Sequence, residues 1–420
     1  MLTRRHLLRM GAAGALAPMI LPIRRAHAEA SPPQMKFIYV VNYGGWDPTR
    51  VFASEFDNPN VDMERDAQLG TVGNISFVDH ADRPSVRTFF EQNYRKSLLV
   101  NGVLVPSIAH ENCLKWQMTG TTAEGSSDWP AILASARASD FAIPHMVVGG
   151  PSFPGELGGV VTRTGTSGQL AGLLNGDILG WSDVATSAPT SRAESVMDRY
   201  MQRRAAAIAD AAASARDQSM FGAYEQSLGQ ALELKNLQAV MDFGSADSFG
   251  SQTRLAVDSL AQGVSRCVTV AFSYYSWDTH VANDLYQSLN FEMLFSGLNG
   301  LMEMLAAQPG EFGGTLADET MVVVLSEMGR TPQLNAGEGK DHWPYTSVLF
   351  CGPGITGNRV VGGLDALYYG ETVDPTTGEL DEGGVQISSA GLGASMLELC
   401  GIDSAEFLGG VTPVPGVLQA

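Results

Sequence analysis

Short apolar runs that stop at glycine, separated by helical stretches, set what this chain can fold into. Lys36-Phe37-Ile38-Tyr39-Val40-Val41-Asn42 runs into Gly44-Gly45. Ser97 to Val103 and Pro144 to Gly150 repeat the pattern, and Cys267 to Phe272, Met321 to Leu325 and Ser347 to Cys351 resume it. Runs of this length, apolar on both faces, read as buried strands closed by a turn. The intervening stretches Pro84–Tyr94, Glu111–Met118, Arg254–Gly263, Asn283–Ala307 and Ala390–Cys400 read as helices. Strands alternating with helices predict an α/β fold, a three-layer sandwich with a mostly parallel central sheet. In Asn283–Ala307 the apolar residues Leu285, Leu289, Met293, Leu294, Leu298, Leu301, Met302 and Leu305 predict an amphipathic helix. Arg192 to Met241 is rich in Ala, Gln, Glu, Arg and Met with few breakers. It predicts a helical insertion at about 190–245 that flanks the sheet within one domain over 29–420.

Residues 1–28 do not enter the fold argument. Thr3-Arg4-Arg5-His6-Leu7-Leu8-Arg9, an apolar stretch from Met10 to Pro22, and Ala26-His27-Ala28 have the form of a twin-arginine export signal with a small-x-small cleavage site. They imply passage through the twin-arginine export machinery and a periplasmic or secreted protein that crosses already folded. The five arginines of this segment have no acidic counterpart, so the remainder holds 21 basic against 45 acidic residues, a net charge of −24. Such a surface repels nucleic acid and anionic lipid. No later apolar run approaches the ~20 residues that span a bilayer. The four cysteines are far apart and form no CxxC pair, which implies free thiols, or one long-range disulfide in an oxidising compartment, rather than a zinc knuckle.

The chemistry gathers after the strands, where ligands of an open α/β sheet bind. Asp47 follows the first strand, Asp278 and His280 follow the Cys267 strand, Glu327 follows the Met321 strand, and Asp341 and His342 lie in the next loop. Three of the seven histidines, His110, His280 and His342, belong to this set. Residues i and i+2 of an extended segment point the same way, so Asp278 and His280 are placed to share a divalent cation such as Zn or Mn. The alternative for that triplet is a histidine bonded to a nearby aspartate at a loop corner.

Asp47 in its Gly-Gly-x-Asp turn, Trp277-Asp278-Thr279-His280, Ser326-Glu327-Met328-Gly329-Arg330-Thr331 and Asp341-His342 resemble the ordered motifs of the exported bacterial family known as domain of unknown function 1501. That family is similar in fold to the alkaline phosphatase and sulfatase superfamily. The resemblance implies one or two divalent ions (Zn, Mn or Ca) at strand ends and hydrolysis of phosphate or sulfate esters. It implies Asp278, His280 and His342 as one metal site, Asp47 and Glu327 as a second site or a water-orienting pair, and Asp341 as a further acidic donor. Met328 stands where the superfamily has a histidine, and His110 stands where it has a hydroxyl or thiol nucleophile. His110 is therefore expected as base or ligand, a metal-activated water as attacker, and Arg330 as the group that steadies a small anionic substrate. The rival expectation is a non-catalytic exported binding or assembly protein on a degenerate hydrolase scaffold.

Overall fold

Every residue from Lys36 to Asn42 is buried, as expected of a strand covered on both faces. The computed structural model describes residues 35–175, 191–212, 214–238 and 241–419, so the export-signal expectation for 1–28 lies outside the described residues. Eight strands form the central sheet: β1 (Lys36–Asn42), β2 (Ser97–Leu104), β3 (His145–Val147), β4 (Val161–Arg163), β5 (Cys267–Phe272), β6 (Thr320–Ser326), β7 (Tyr345–Cys351) and β8 (Arg359–Val361). Their order is β8-β2-β7-β6-β1-β5-β3-β4. Only β7 runs antiparallel to its neighbours. The sheet is thus mostly parallel, as the sequence rhythm predicts. Strands β4 and β8, three residues each, were too short to leave a periodic signal.

Pleating sends successive side chains of β1 to opposite faces. Phe37, Tyr39 and Val41 join a core with Met118, Ile132, Leu133, Leu392 and Met396, which belong to the helices His110–Thr119, Trp129–Ser135 and Ser389–Leu399. The helices Pro84–Asn93, Phe249–Ala261 and Asn283–Ala307 pack with one another and cover the other face. There Phe52, Phe89, Phe90, Phe291 and Phe295 interlock ring on ring. Each such fully buried phenylalanine is worth roughly 1.5–3 kcal/mol. Two helical layers around one sheet make three.

The long helix Asn283–Ala307 departs from its amphipathic reading. Leu285, Leu289 and Met293 are 57%, 39% and 43% exposed, whereas Leu294, Leu298, Leu301 and Leu305 are buried. Its first two turns instead bury Asn283, Gln287 and Asn290. Those amides carry hydrogen bonds for the loops described below, and they turn the leucines outward.

The helices Gln169–Asn175, Ser191–Ala211 and Ala215–Leu237 belong to a second compact unit, within Gln169–Phe243. Its two long helices pack on each other. Lys235 Nζ bonds Glu194 Oε1 at 2.7 Å and Asp198 Oδ2 at 3.2 Å between them. No described helix is long and apolar enough to cross a membrane.

Candidate metal centre

Three strands end level. Asn42 of β1 lies beside Phe272 of β5 and Ser326 of β6. The turns that follow therefore leave the sheet at one edge. Gly44 and Gly45 take φ of 123° and 74°, open to glycine and costly for other residues. A Cβ on Gly44 would meet the backbone nitrogen of Asp278 at 2.9 Å. That close approach lets the Gly44-Gly45 turn and the Trp277-Asp278 loop share the edge.

Two buried side chains lock the turn. Glu327 accepts Gly44 N at 2.8 Å, Gly45 N at 3.2 Å and Ser326 Oγ at 3.0 Å. Arg330 donates to Gly45 O at 2.8 Å, to Gly44 O, to Lys340 O at 3.1 Å and to Asp278 Oδ1 at 2.7 Å. Its side chain is fully buried. It therefore orients Asp278 and presents no face to an incoming anion, unlike the anion-steadying place the sequence suggested.

Around Asp278 the structure gathers His110, His280 and His342. His280 Nε2 and His342 Nε2 lie 3.0 and 3.1 Å from Asp278 Oδ1, and 3.1 Å from each other. His110 Nε2 lies 3.5 Å from Asp278 Oδ2. Donors spaced in this way match the edges, about 3.4 Å, of a tetrahedron built on ~2.1 Å metal–ligand bonds. His110, Asp278 and His342 each offer a ligand atom within 4.8 Å of the others.

The second ring nitrogens explain the proton arrangement. His110 Nδ1 bonds Glu327 Oε1 at 2.7 Å, His280 Nδ1 bonds Asp341 Oδ1 at 2.7 Å, and His342 Nδ1 bonds Ile108 O at 2.7 Å. All three partners are acceptors, so each Nδ1 carries a proton and each ring turns its Nε2 toward Asp278. His110 Nε2 is buried and has no hydrogen-bond partner. Such backing of imidazoles by carboxylates and carbonyls is how metal-ligating histidines are oriented. Glu327 and Asp341 thus stand behind the imidazoles. The hydrogen bond that His110 donates to Glu327 raises the His110 pKa against the opposing effect of burial. At Asp278 burial favours the neutral acid, but Arg330 outweighs it, with His342 and His280 adding to its effect, and the pKa falls to about 2.

Asp47 goes elsewhere. Its carboxylate, fully buried, accepts Lys340 Nζ at 2.9 Å, Asn283 Nδ2 at 2.9 Å, Thr49 N at 3.0 Å and Thr49 Oγ1 at 2.6 Å, with Arg50 NH1 at 3.4 Å. Burial alone would raise its pKa, yet Lys340 and Arg50 hold it far below the ordinary carboxyl range. Arg50 also pairs with Asp284 at 2.5 Å. Lys340 is sealed here, and burial pulls its pKa down to about 8 against the attraction of Asp47. Sequence reading missed this pairing, and it missed Asn283 and Gln287. Gln287 accepts Asp47 N at 2.9 Å and donates to Trp277 O at 2.9 Å and Thr279 Oγ1 at 3.0 Å. The available signal was polar amides at i and i+4 on the inward face of an otherwise apolar helix.

The tryptophans near the cluster pack. Trp46 and Trp277 stand edge to face in the aromatic core, and Trp343 donates to Tyr368 O at 2.8 Å. His80 bonds Arg65 O at 3.1 Å, outside the cluster. All four cysteines are free thiols.

The fold and this edge define an α/β protein with a carboxylate–imidazole cluster at the carboxyl ends of a mostly parallel sheet. Residues 100–412 match the family described as protein of unknown function (DUF1501), and the chain belongs to that family. No curated protein matches it in sequence. Among solved structures it is similar to a protein in the alkaline phosphatase superfamily from Vibrio parahaemolyticus, at 7% identity and a TM-score of 0.37 over 96% of this chain and 76% of that one. It is also similar to a 2-O GAG sulfatase (9%, 0.34, 88% and 71%) and to the lipoteichoic acid synthase LtaP from Listeria monocytogenes (9%, 0.38, 92% and 78%).

Proposed function

We propose that this protein is an exported metal-dependent hydrolase of a phosphate or sulfate ester, with His110, Asp278, His280 and His342 around one divalent ion. The observation that carries this reading is the set of three imidazoles whose Nδ1 atoms are all committed to acceptors. Their Nε2 lone pairs then face one another and a carboxylate, an arrangement that repels itself unless a cation or proton lies among them. The orphaned Nε2 of His110 fits the same group. Three nitrogens and one oxygen suit Zn or Mn better than Ca, which prefers oxygen. When bound, such an ion supplies a Lewis acid for the ester oxygen and lowers the pKa of water.

The chain's own groups supply the rest. Glu327, Asp341 and the Ile108 carbonyl fix the three rings, and Arg330 keeps Asp278 ionised and aimed. No hydroxyl or thiol occupies the start of the His110–Thr119 helix. Cys113, one turn on, is buried, and burial pushes its thiol up to about 11. Water is therefore the attacker: its oxygen bonds to phosphorus or sulfur, the ester P–O or S–O bond breaks, one proton passes to the leaving oxygen and the other to solvent. Export through the twin-arginine machinery to the periplasm or beyond rests on the Arg4-Arg5 and Ala26-His27-Ala28 pattern.

Elemental analysis of the full chain purified from the export route tests the reading. About one ion per chain is expected, with His342→Ala losing it together with any esterase activity. A His342→Ala variant that keeps its full metal complement would sink the assignment. The second reading is a non-catalytic exported binding or assembly protein. The sealed Arg330 favours it, because no side-chain cation faces the cluster. Metal-loaded protein that stays inert toward phosphate, phosphonate and sulfate esters would establish that reading instead.

A further inference from the structure

The charge inventory of this edge narrows the substrate. Asp278, Glu327 and Asp341 face or back the donor cluster, against the single guanidinium of Arg330. The imidazoles are neutral when their Nε2 atoms serve an ion. The site thus holds two surplus negative charges, which one divalent ion cancels and does not exceed. The adjoining cluster adds nothing, because Arg50 and Lys340 face Asp47 and Asp284. Arg50, Arg330 and Lys340 are all fully buried and bonded within the fold. Among the described residues no exposed lysine or arginine bonds to Asp278 or to the three imidazoles. Around this edge the net charge of the whole chain, −19, repels a second negative charge further.

The wall beside the cluster is apolar. Tyr43 follows β1 and precedes the clamped Gly44-Gly45 turn. Its ring centroid lies 5.3 Å from that of His110, and half of the residue is exposed. Ile108, whose carbonyl anchors His342, is 57% exposed. The half of the ring that His110 leaves uncovered is open to a flat partner.

We propose that the site takes a tetrahedral ester bearing a single negative charge, a sulfate monoester or a phosphodiester, whose ester side carries an uncharged ring that rests on Tyr43. A phosphate monoester dianion brings a second charge that nothing here balances. This inference rests on the metal reading above and names its substrate class. An aryl sulfate and a diaryl phosphate share the required chemistry, and turnover assays on the two separate them.

The test uses the full chain loaded with Co2+ and reads ligand binding from the cobalt visible spectrum, without turnover. Phenylphosphonate, doubly charged at alkaline pH, is compared with its monomethyl ester, which carries one charge. The monoester should bind about tenfold more tightly, the effect of one unbalanced charge near the surface. Equal or tighter binding of the dianion overturns the charge argument. Tyr43→Ala should weaken the phenyl monoester about tenfold and leave the monomethyl ester of methylphosphonate unchanged, with Tyr43→Phe restoring phenyl binding. Unchanged phenyl binding in Tyr43→Ala overturns the ring subsite. A wild-type chain that takes up no cobalt defeats the metal reading itself, and the substrate class falls with it.

Discussion

Two charged clusters sit side by side at the carboxyl edge of the sheet, and they are built on opposite terms. Around Asp47 every donor meets an acceptor: an ammonium, a guanidinium, an amide, a hydroxyl and a backbone N–H converge on one carboxylate. Around Asp278 three imidazole nitrogens converge on a carboxylate held by one arginine. The first cluster is complete as folded. The second, on the metal reading proposed above, is completed by a cation. A buried carboxylate at a strand end is thus not a metal ligand by position alone; what decides is whether the protein already carries the compensating charge. The ammonium of Lys340 takes, beside Asp47, the part that a second ion would play.

The sharpest way to break this contrast is Lys340→Met. It leaves Asp47 buried with a weaker partner and should cost about 3–5 kcal/mol of stability, the usual penalty for an uncompensated buried charge. The drop in the urea midpoint measures it, with metal content per folded chain unchanged. A cost below about 1 kcal/mol would mean that the ammonium is not what holds Asp47. Asp341→Ala sharpens the other side. The Asp341 side chain is largely exposed and, among the described residues, bonds to His280 alone, so global stability should stay within about 0.5 kcal/mol. Metal affinity should fall roughly 10- to 100-fold as the His280 ring loses its orienting partner. Competition with a chelator reads this directly, and an unchanged affinity would remove His280 from the donor set.

The smallest expected effect is in acid. Asp47 releases its proton more readily in the folded chain than in the unfolded one. Its stabilisation is therefore fully present above the ordinary carboxyl value of about 3.9 and is lost as pH falls below that toward its folded value. Metal-free protein should lose stability over this window, and Asp47→Asn should flatten the slope. An identical slope in the variant would assign the acid limb to other carboxylates.

Periodic features were legible in the sequence. The strand Lys36–Asn42 and the helix Asn283–Ala307 emerge at their expected bounds because apolar runs and glycine stops are local signals. The meeting of Asp278, His280 and His342 was legible too, because residues after parallel strands share an edge whatever the loop detail. The partnership of Asp47 with Lys340 was not: 293 positions separate them, and nothing in either neighbourhood says which carboxylate a lysine will neutralise. Leu285, Leu289 and Met293 misled because a helix can bury amides when they carry a loop's hydrogen bonds. Strand direction was also silent. Tyr345–Cys351 reads like any buried strand, yet it is the reversed one.

That reversal bears on the order in which the site is assembled. Because β7 runs against β6, the chain that leaves the sheet after Ser326 re-enters it at Tyr345 on the same side, and Gly329-Arg330 pairs with His342-Trp343 along the way. Glu327 and His342 are thereby brought near each other by a short closure, which is entropically cheap and kinetically early. Asp278 joins His342 across 64 positions, and His110 joins Glu327 only when segments 217 positions apart have docked. On the metal reading proposed above, a half-built centre forms first and does not retain an ion, so metal capture would mark the last step of folding rather than its nucleus.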